Sequence, residues 1–250
     1  MMTKRQLFFI FIFFFKIFFL ALRSSCTMSC FVNEDDPFPA DDCLFADTFS
    51  QESVYTVMGQ TLKITQLFGA NLGVAAPVWE SAQYLCRYFE EQHVEWRGRR
   101  VIELGAGTGV VGILAACLGA DVTLTDLPVA LPQLEANVCA NMPSSGWPSA
   151  PPAVLPLSWG EDHIKFPSDW DLVLGADIIY LPETYPLLVD TLAHLCKDMA
   201  VVYLSSKMRK EHEAPRFFEE HLPSRFYVQL MQRDDNQNIN IYRACLRKQL

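Results

Sequence analysis

The 250-residue chain lacks several of the features that mark out protein classes. Its eight cysteines lie at 26, 30, 43, 86, 117, 139, 196 and 245, with no C-x-x-C pair, and it has five histidines. A disulfide framework or a zinc site needs tighter Cys and His spacings, so neither is expected and no metal ligands are assigned. The thiols read as reduced, small core residues. Clustered positive charge is missing too. Twenty Lys and Arg stand against 29 Asp and Glu, a formal charge of −9, and phosphate backbones are held by grouped cations, so direct nucleic-acid binding is not expected. An uninterrupted apolar run of the roughly 20 residues that span a bilayer is also absent. In "MMTKRQLFFIFIFFFKIFFLALRSS" the apolar stretch from Leu7 to Leu22 is short and broken by Lys16. Its basic start and apolar body suit a signal peptide or an uncleaved anchor. The preferred reading is an extension over 1–27 that is not part of the working protein, because Met28 opens the acidic stretch "MSCFVNEDDPFPADD". Residues 28–52 then read as an acidic linker, and membrane association is not expected unless the first segment is a real anchor.

What remains has a globular composition, half hydrophobic and one fifth charged, and a length that suits one α/β domain over 53–250. "SVYTVMGQTLKITQ" (Ser53–Gln66) alternates apolar and polar residues around Gly59-Gln60, which predicts a hairpin. A helix follows over Pro77–Glu91, with Pro77 in its first turn and Val78, Ala82, Leu85 and Phe89 on one face. Beyond residue 100, continuous apolar runs recur at Val101–Leu104, Val122–Thr125, Val154–Leu157, Leu172–Ala176 and Val201–Ser205. Helical segments at Val110–Leu118, Val129–Asn141 and Thr184–Cys196 separate most of them. Strands without polar alternation belong to a parallel sheet covered on both faces, so the pattern predicts a doubly wound sheet. "RFYVQLMQR" and "NINIYRACLR" add a terminal antiparallel hairpin at its edge.

Between the first strand and its helix runs "VIELGAGTGVVG", with glycines at 105, 107 and 109. Such a turn brings backbone close to a ligand and aims a helix N-terminus at it. Asp126 closes the second strand about 20 residues later, where a carboxylate can accept ribose hydroxyls. Dinucleotides and S-adenosylmethionine both require this arrangement. The dinucleotide fingerprint wants glycine at the sixth position from Gly105, and Val110 stands there.

Strand carboxyl ends border the ligand crevice in such sheets, which brings Ala176, Asp177 and Tyr180 of "DLVLGADIIYLPE" to the site. Their chemistry suits amine methylation. The acceptor must be a neutral amine, and a free lysine is neutral only about once in a few thousand at pH 7. Apolar and aromatic walls disfavour the charged form, and a carboxylate can orient the approaching ammonium. "SSKMRKEH" (Ser205–His212), after the fifth strand, is the densest basic run of the folded part and a candidate contact for a protein substrate.

The string E-x-G-x-G-x-G from Glu103 resembles the first motif of the class I S-adenosylmethionine-dependent methyltransferases. "LGVAAPVWESA", "TLTDLP", "LSWG", "DLVLGADIIYLPET" and "SKMRKEH…NINIYRA" are similar to the methyltransferase-like 21 group of protein-lysine methyltransferases, whose D-x-x-Y signature falls at Asp177–Tyr180. The likeness covers about residues 43–247. It implies a Rossmann-like α/β sheet of seven strands, doubly wound, with an antiparallel terminal strand and an N-terminal β-hairpin plus helix. It implies S-adenosyl-L-methionine as cofactor, held by Trp79, Glu103, Gly105, Ala106, Gly107, Asp126, Trp159 and Ala176, with Asp177 and Tyr180 as catalytic residues. It further implies a protein substrate, with elongation factor 1-alpha the partner of the members it most resembles, and a cytoplasmic location; the sequence is silent on oligomeric state, and a monomer is the default. Members acting on 70-kDa heat-shock chaperones or an AAA-type ATPase leave a chaperone substrate as the alternative. A cofactor-binding adaptor without catalysis is the third possibility.

Overall fold

The structure, a computed structural model, describes residues 48–247 apart from 70, 71, 142, 144, 145 and 198. The apolar segment 1–27 and most of the acidic linker lie outside the described residues. Strands β1 (Thr48–Val57) and β2 (Gln60–Gly69) pair antiparallel around Met58-Gly59. Both turn residues have positive φ, 50° and 73°, the backbone that two-residue hairpins favour. The hairpin begins at Thr48 rather than Ser53 because residues 49–52 are exposed on both faces, so no alternation marks them. Leu62, Ile64 and Gln66 of β2 point inward and are buried.

Helix α1 covers Glu80–Glu91, not Pro77–Glu91. Trp79 is extended (φ −77°, ψ 147°) at its N-cap, and the preceding Val78 N–H donates to Gln66 Oε1 at 2.8 Å. That side-chain bond holds 77–79 out of the helix. From Glu80 on, α1 buries Ala82, Leu85 and Phe89, and full burial of Leu85 and Phe89 is worth about 1.5–3 kcal/mol each.

Alternating strands and helices follow: β3 (Arg100–Leu104), α2 (Val110–Cys117), β4 (Asp121–Asp126), α3 (Leu131–Ala140), β5 (Ala153–Pro156), β6 (Leu172–Ala176), α4 (Tyr185–Leu195) and β7 (Val201–Lys207). Short helical turns over Ala214–Ser224 bury Phe217, Phe218 and Leu222, and then β8 (Phe226–Asp234) and β9 (Ile239–Leu246) close the chain. The strand order is β5-β4-β3-β6-β7-β9-β8. The first five are parallel, whereas β9 runs antiparallel between β7 and β8. This is the seven-stranded sheet, with an N-terminal hairpin and an antiparallel terminal strand, that the sequence predicts.

Alternation along β3 divides the two cores. Val101 packs under α1 and α2, while Ile102 and Leu104 pack on the opposite face, under α4. From β3 the chain winds one way to β4 and β5, then returns to the other side for β6 and β7. The crevice therefore opens at the carboxyl ends of β3 and β6.

A polar ladder fixes the hairpin to this sheet. Gln133, Asn137 and Asn141, spaced by four residues along and just beyond α3, meet alternate residues of β2. Leu67 N–H donates to Gln133 Oε1 at 2.6 Å, Thr65 N–H to Asn137 Oδ1 at 2.9 Å and Lys63 N–H to Asn141 Oδ1 at 2.8 Å. Asn137 and Asn141 return bonds to the Thr65 and Lys63 carbonyls at 3.0 and 2.7 Å. Side-chain amides thus replace a neighbouring strand on that edge of β2.

Candidate active site

The glycine turn sits at the end of β3. Gly105, Gly107 and Gly109 have φ of 58°, 55° and 82°, a region costly for residues with a Cβ. At Gly105 a Cβ would stand 2.7 Å from Ile178 Cγ2 and 3.7 Å from Trp159 Cζ2. Gly105 is therefore the point where the turn meets both the segment after β6 and the tryptophan after β5. Ala106 is buried, and its N–H donates to the Thr125 carbonyl at 3.0 Å, tying the turn to β4.

Asp126, the last residue of β4, faces the turn. Its Oδ2 accepts the Gly107 N–H and its Oδ1 the Leu127 N–H, both at 2.7 Å. Burial pushes its carboxyl above the ordinary range, against the pull of those two amides. Each oxygen takes one bond and keeps capacity for a further donor.

Glu103 is placed differently from the other residues expected to hold the cofactor. It lies on the α1/α2 face of β3, 2% exposed, and its Oε2 accepts the Gly112 N–H at 2.8 Å. It braces the glycine turn from behind, through the first turn of α2, and no open surface reaches it. Burial raises its carboxyl to about 8.

Trp79 and its neighbours cover the turn from the other side. The Trp79 indole N–H donates to the Val74 carbonyl at 2.9 Å, and a Cβ on Gly107 would lie 3.4 Å from the Ala75 carbonyl oxygen. Gln133 Nε2 donates to that same Ala75 oxygen at 2.8 Å, so the polar ladder also seats this cover. Trp159, in the loop that follows β5, and Ala176, the last residue of β6, are half-buried.

Asp177 follows Ala176 with a left-handed backbone, φ 56°. Its N–H donates to the Ser205 carbonyl at 2.8 Å. This turn buries Ile178 and Ile179 and leaves Tyr180 half-buried at the crevice. Burial first, and then the Asp126 carboxylate, push the Tyr180 hydroxyl above its ordinary value, so the two residues share one electrostatic environment. The Asp177 carboxylate is engaged in a pair. Arg209 Nη1 and Nη2 donate to its Oδ1 and Oδ2 at 2.8 and 2.9 Å, and Lys207 N–H donates to Oδ1 at 3.1 Å.

Arg209, Gln66, Gln133 and Asn137 are the site-building residues that the sequence did not single out by function. Only Arg209 carried a signal, since it belongs to the basic run Ser205–His212. The run is a candidate contact for a protein substrate, yet Arg209 turns inward to Asp177 and lies 5.4 Å from the centre of the Trp79 ring.

The assembled groups fit a nucleoside cofactor. Gly105 and Gly107 leave backbone room, Asp126 offers two acceptor oxygens at the strand end, and two tryptophans offer flat faces. Comparison with known proteins narrows the class. Residues 57–222 match the family model described as lysine methyltransferase. EEF1A lysine methyltransferase 3 of Xenopus tropicalis is 56% identical over 201 residues, 80% of this chain and 88% of that protein. Protein N-lysine methyltransferase METTL21A of Danio rerio is 45% identical over 195 residues, 78% and 87% of the two chains. Among solved structures, the T. Thermophilus 16S rRNA N2 G1207 methyltransferase, in complex with AdoMet and guanosine, superposes with a TM-score of 0.57 at 18% identity. It aligns with 79% of this chain and 51% of its own, and it shares the fold. With the glycine turn, Asp126 and the Asp177–Tyr180 segment all at one crevice, the chain belongs to the lysine methyltransferase family, within its methyltransferase-like 21 group, and its methyl donor is S-adenosylmethionine.

Proposed function

We propose that this chain methylates a lysine of translation elongation factor 1-alpha. The observation that carries the choice of substrate is the 56% identity, over 80% of the chain, to a relative named EEF1A lysine methyltransferase 3. A cytoplasmic location goes with that substrate, and the catalytic domain takes in the whole hairpin from Thr48 rather than starting at 53.

The cofactor supplies an electrophilic methyl group on a sulfonium. Asp126 would accept hydrogen bonds from its ribose hydroxyls, and Gly105, Ala106 and Gly107 would let the backbone come close to it. Trp79 and Trp159 provide apolar faces, and Ala176 leaves space that a larger side chain would fill. Glu103 acts from behind the turn by holding Gly112. At the other edge, Asp177 and Tyr180 receive the lysine. Its amine must lose a proton to solvent before its lone pair could take the methyl group that a bound cofactor would supply. Half-buried Tyr180 and the surrounding apolar residues disfavour the ammonium form before transfer.

The test is incubation of the full chain with labelled S-adenosylmethionine and cell lysate, then with purified elongation factor 1-alpha and mass spectrometry of its peptides. A labelled band at the factor's size and one methylated lysine are expected. Label on a 70-kDa chaperone or an AAA-type ATPase would move the substrate to the alternative class. Label confined to small molecules or RNA would sink the lysine assignment, and cofactor binding without transfer would leave an adaptor.

A further inference from the structure

A bare carboxylate beside the acceptor would work against methylation. In a partly desolvated site it would hold the lysine as an ammonium and raise its pKa, and the ammonium has no lone pair to give. Asp177 is not bare. Its side chain is 2% exposed, and the fork of Arg209 covers both oxygens. Arg209 is itself 19% exposed and lies over Trp79, so the pair is shielded from water. Shielded bidentate pairs keep a fixed geometry and cancel most of each other's field.

The other charges around Arg209 are accounted for. Glu80, at the start of α1, accepts from Lys207 Nζ at 2.7 Å, which balances a second carboxylate at the same rim. Glu211 also acts on Arg209 but is exposed, where solvent screens it. On the crevice side, the charge that acts on the half-buried Tyr180 hydroxyl is Asp126.

We propose that Arg209 is a positioning residue that acts through Asp177, fixing and neutralising the D-x-x-Y carboxylate so that the acceptor lysine meets a charge-balanced ion pair and gives up its proton more readily. The inference rests on the assignment of Asp177–Tyr180 as the lysine-methylating edge. Asp177 then sets geometry, through its left-handed turn and its paired carboxylate, and does not serve as the base.

The test is the pH profile of turnover on the protein acceptor between pH 6 and 10.5, for wild type, Arg209→Gln, Arg209→Lys and the double variant Asp177→Asn/Arg209→Gln. Cofactor affinity and thermal unfolding are measured for each. In Arg209→Gln, the Asp177 carboxylate loses its cationic partner. Its rising limb should move up by about one pH unit, roughly a tenfold loss at pH 7.5 that closes towards pH 10. Arg209→Lys should keep the limb near the wild-type position. The double variant, which restores charge balance, should return the limb towards wild type although its maximal rate stays low. A purely structural role would lower the rate of Arg209→Gln equally at every pH and leave the limb unmoved, and that result overturns the inference. If Arg209→Gln does not fold, the limb of the double variant decides, since a limb displaced by a full unit there would equally overturn charge balance. If the wild type binds cofactor but methylates no lysine at any pH, the assignment of the site itself falls, and this inference with it.

Discussion

Asn137 satisfies both backbone groups of Thr65, accepting from its N–H at 2.9 Å and donating to its carbonyl at 3.0 Å, and the same amide nitrogen donates to the Thr108 carbonyl at 3.0 Å. One fully buried side chain on α3 thereby joins the N-terminal hairpin to the glycine turn. The hairpin carries Gln66, which holds Val78 beside Trp79. The cover of the crevice is thus built into the fold from the hairpin side.

Removing that amide should cost more than removing its neighbour. Asn137→Ala leaves three backbone groups short of a partner, the Thr108 carbonyl buried and the two Thr65 groups partly buried, a loss of about 2–4 kcal/mol. Asn141→Ala, on the same ladder but more exposed, should cost about 1 kcal/mol. For a domain of this size the difference corresponds to several degrees of unfolding temperature, at roughly 2–4 °C per kcal/mol. Thermal unfolding of the two variants side by side measures it. Equal losses would mean that the Thr108 contact adds nothing.

The contrast between strand runs and ladder residues explains what the sequence revealed. Val101–Leu104, Val122–Thr125, Leu172–Ala176 and Val201–Ser205 were legible because central parallel strands are apolar on both faces and leave continuous runs. Gly105, Gly107 and Asp126 were legible because spacing alone brings a turn and a strand end together. Gln133 and Asn137 were not, since polar residues on a helix ordinarily read as a solvated face, and their partners lie 66 and 72 residues away on a strand edge. The inward turn of Arg209 is not legible for the same reason, because a basic loop residue gives no local sign of a buried carboxylate 32 residues upstream. Glu103 matched the motif by position, yet the alternation of β3 turns it towards α2, behind the glycine turn.

Glu103 should make stability depend on pH. Its carboxyl is raised by burial from 4.5 to about 8 in the folded state. The folded chain therefore holds a proton that the unfolded chain has released. The associated stability is fully present below about pH 4.5 and is lost as pH rises through about 8. The slope between those limits approaches about 1.4 kcal/mol per pH unit from this one group. Glu103→Gln keeps an oxygen for the Gly112 N–H and cannot ionise. Urea midpoints at pH 6 and pH 8.5 should differ less in that variant than in wild type, and an unchanged difference would remove Glu103 as the source.

Cofactor binding and turnover should separate at Asp126 and Asp177. Asp126→Ala removes both acceptor oxygens, and hydrogen bonds to a charged group are worth about 1.5–3 kcal/mol, so affinity should fall by about 10- to 100-fold. Asp177→Asn leaves the glycine turn and Asp126 intact but weakens the fork with Arg209. Its affinity should stay within about threefold of wild type while turnover falls at least about tenfold. Calorimetric titration with S-adenosylhomocysteine and single-turnover methylation give the two numbers. Loss of affinity in Asp177→Asn would make that residue part of the cofactor cradle.

Gly105 and Gly107 should respond differently to the same added methyl group. Both have positive φ, 58° and 55°, so alanine at either meets about 1–2 kcal/mol of backbone strain. At Gly107 the new Cβ would find only the Ala75 carbonyl at 3.4 Å and its Cα at 3.9 Å, a contact the cover can accommodate. At Gly105 it would stand 2.7 Å from Ile178 Cγ2, between β3 and the D-x-x-Y segment, adding about 1–3 kcal/mol of overpacking. Gly105→Ala should therefore unfold at the lower temperature of the two and also displace Ile178–Tyr180, lowering turnover beyond its loss of cofactor affinity. Ile178→Ala in the same chain removes the clashing methyl and should recover part of that turnover, leaving the φ strain in place. Thermal unfolding and turnover of Gly105→Ala, Gly107→Ala and Gly105→Ala/Ile178→Ala separate the two causes. If the double variant turns over no faster than Gly105→Ala, the damage comes from the backbone of the turn, and the contact with Ile178 does not link the glycine turn to the reacting edge.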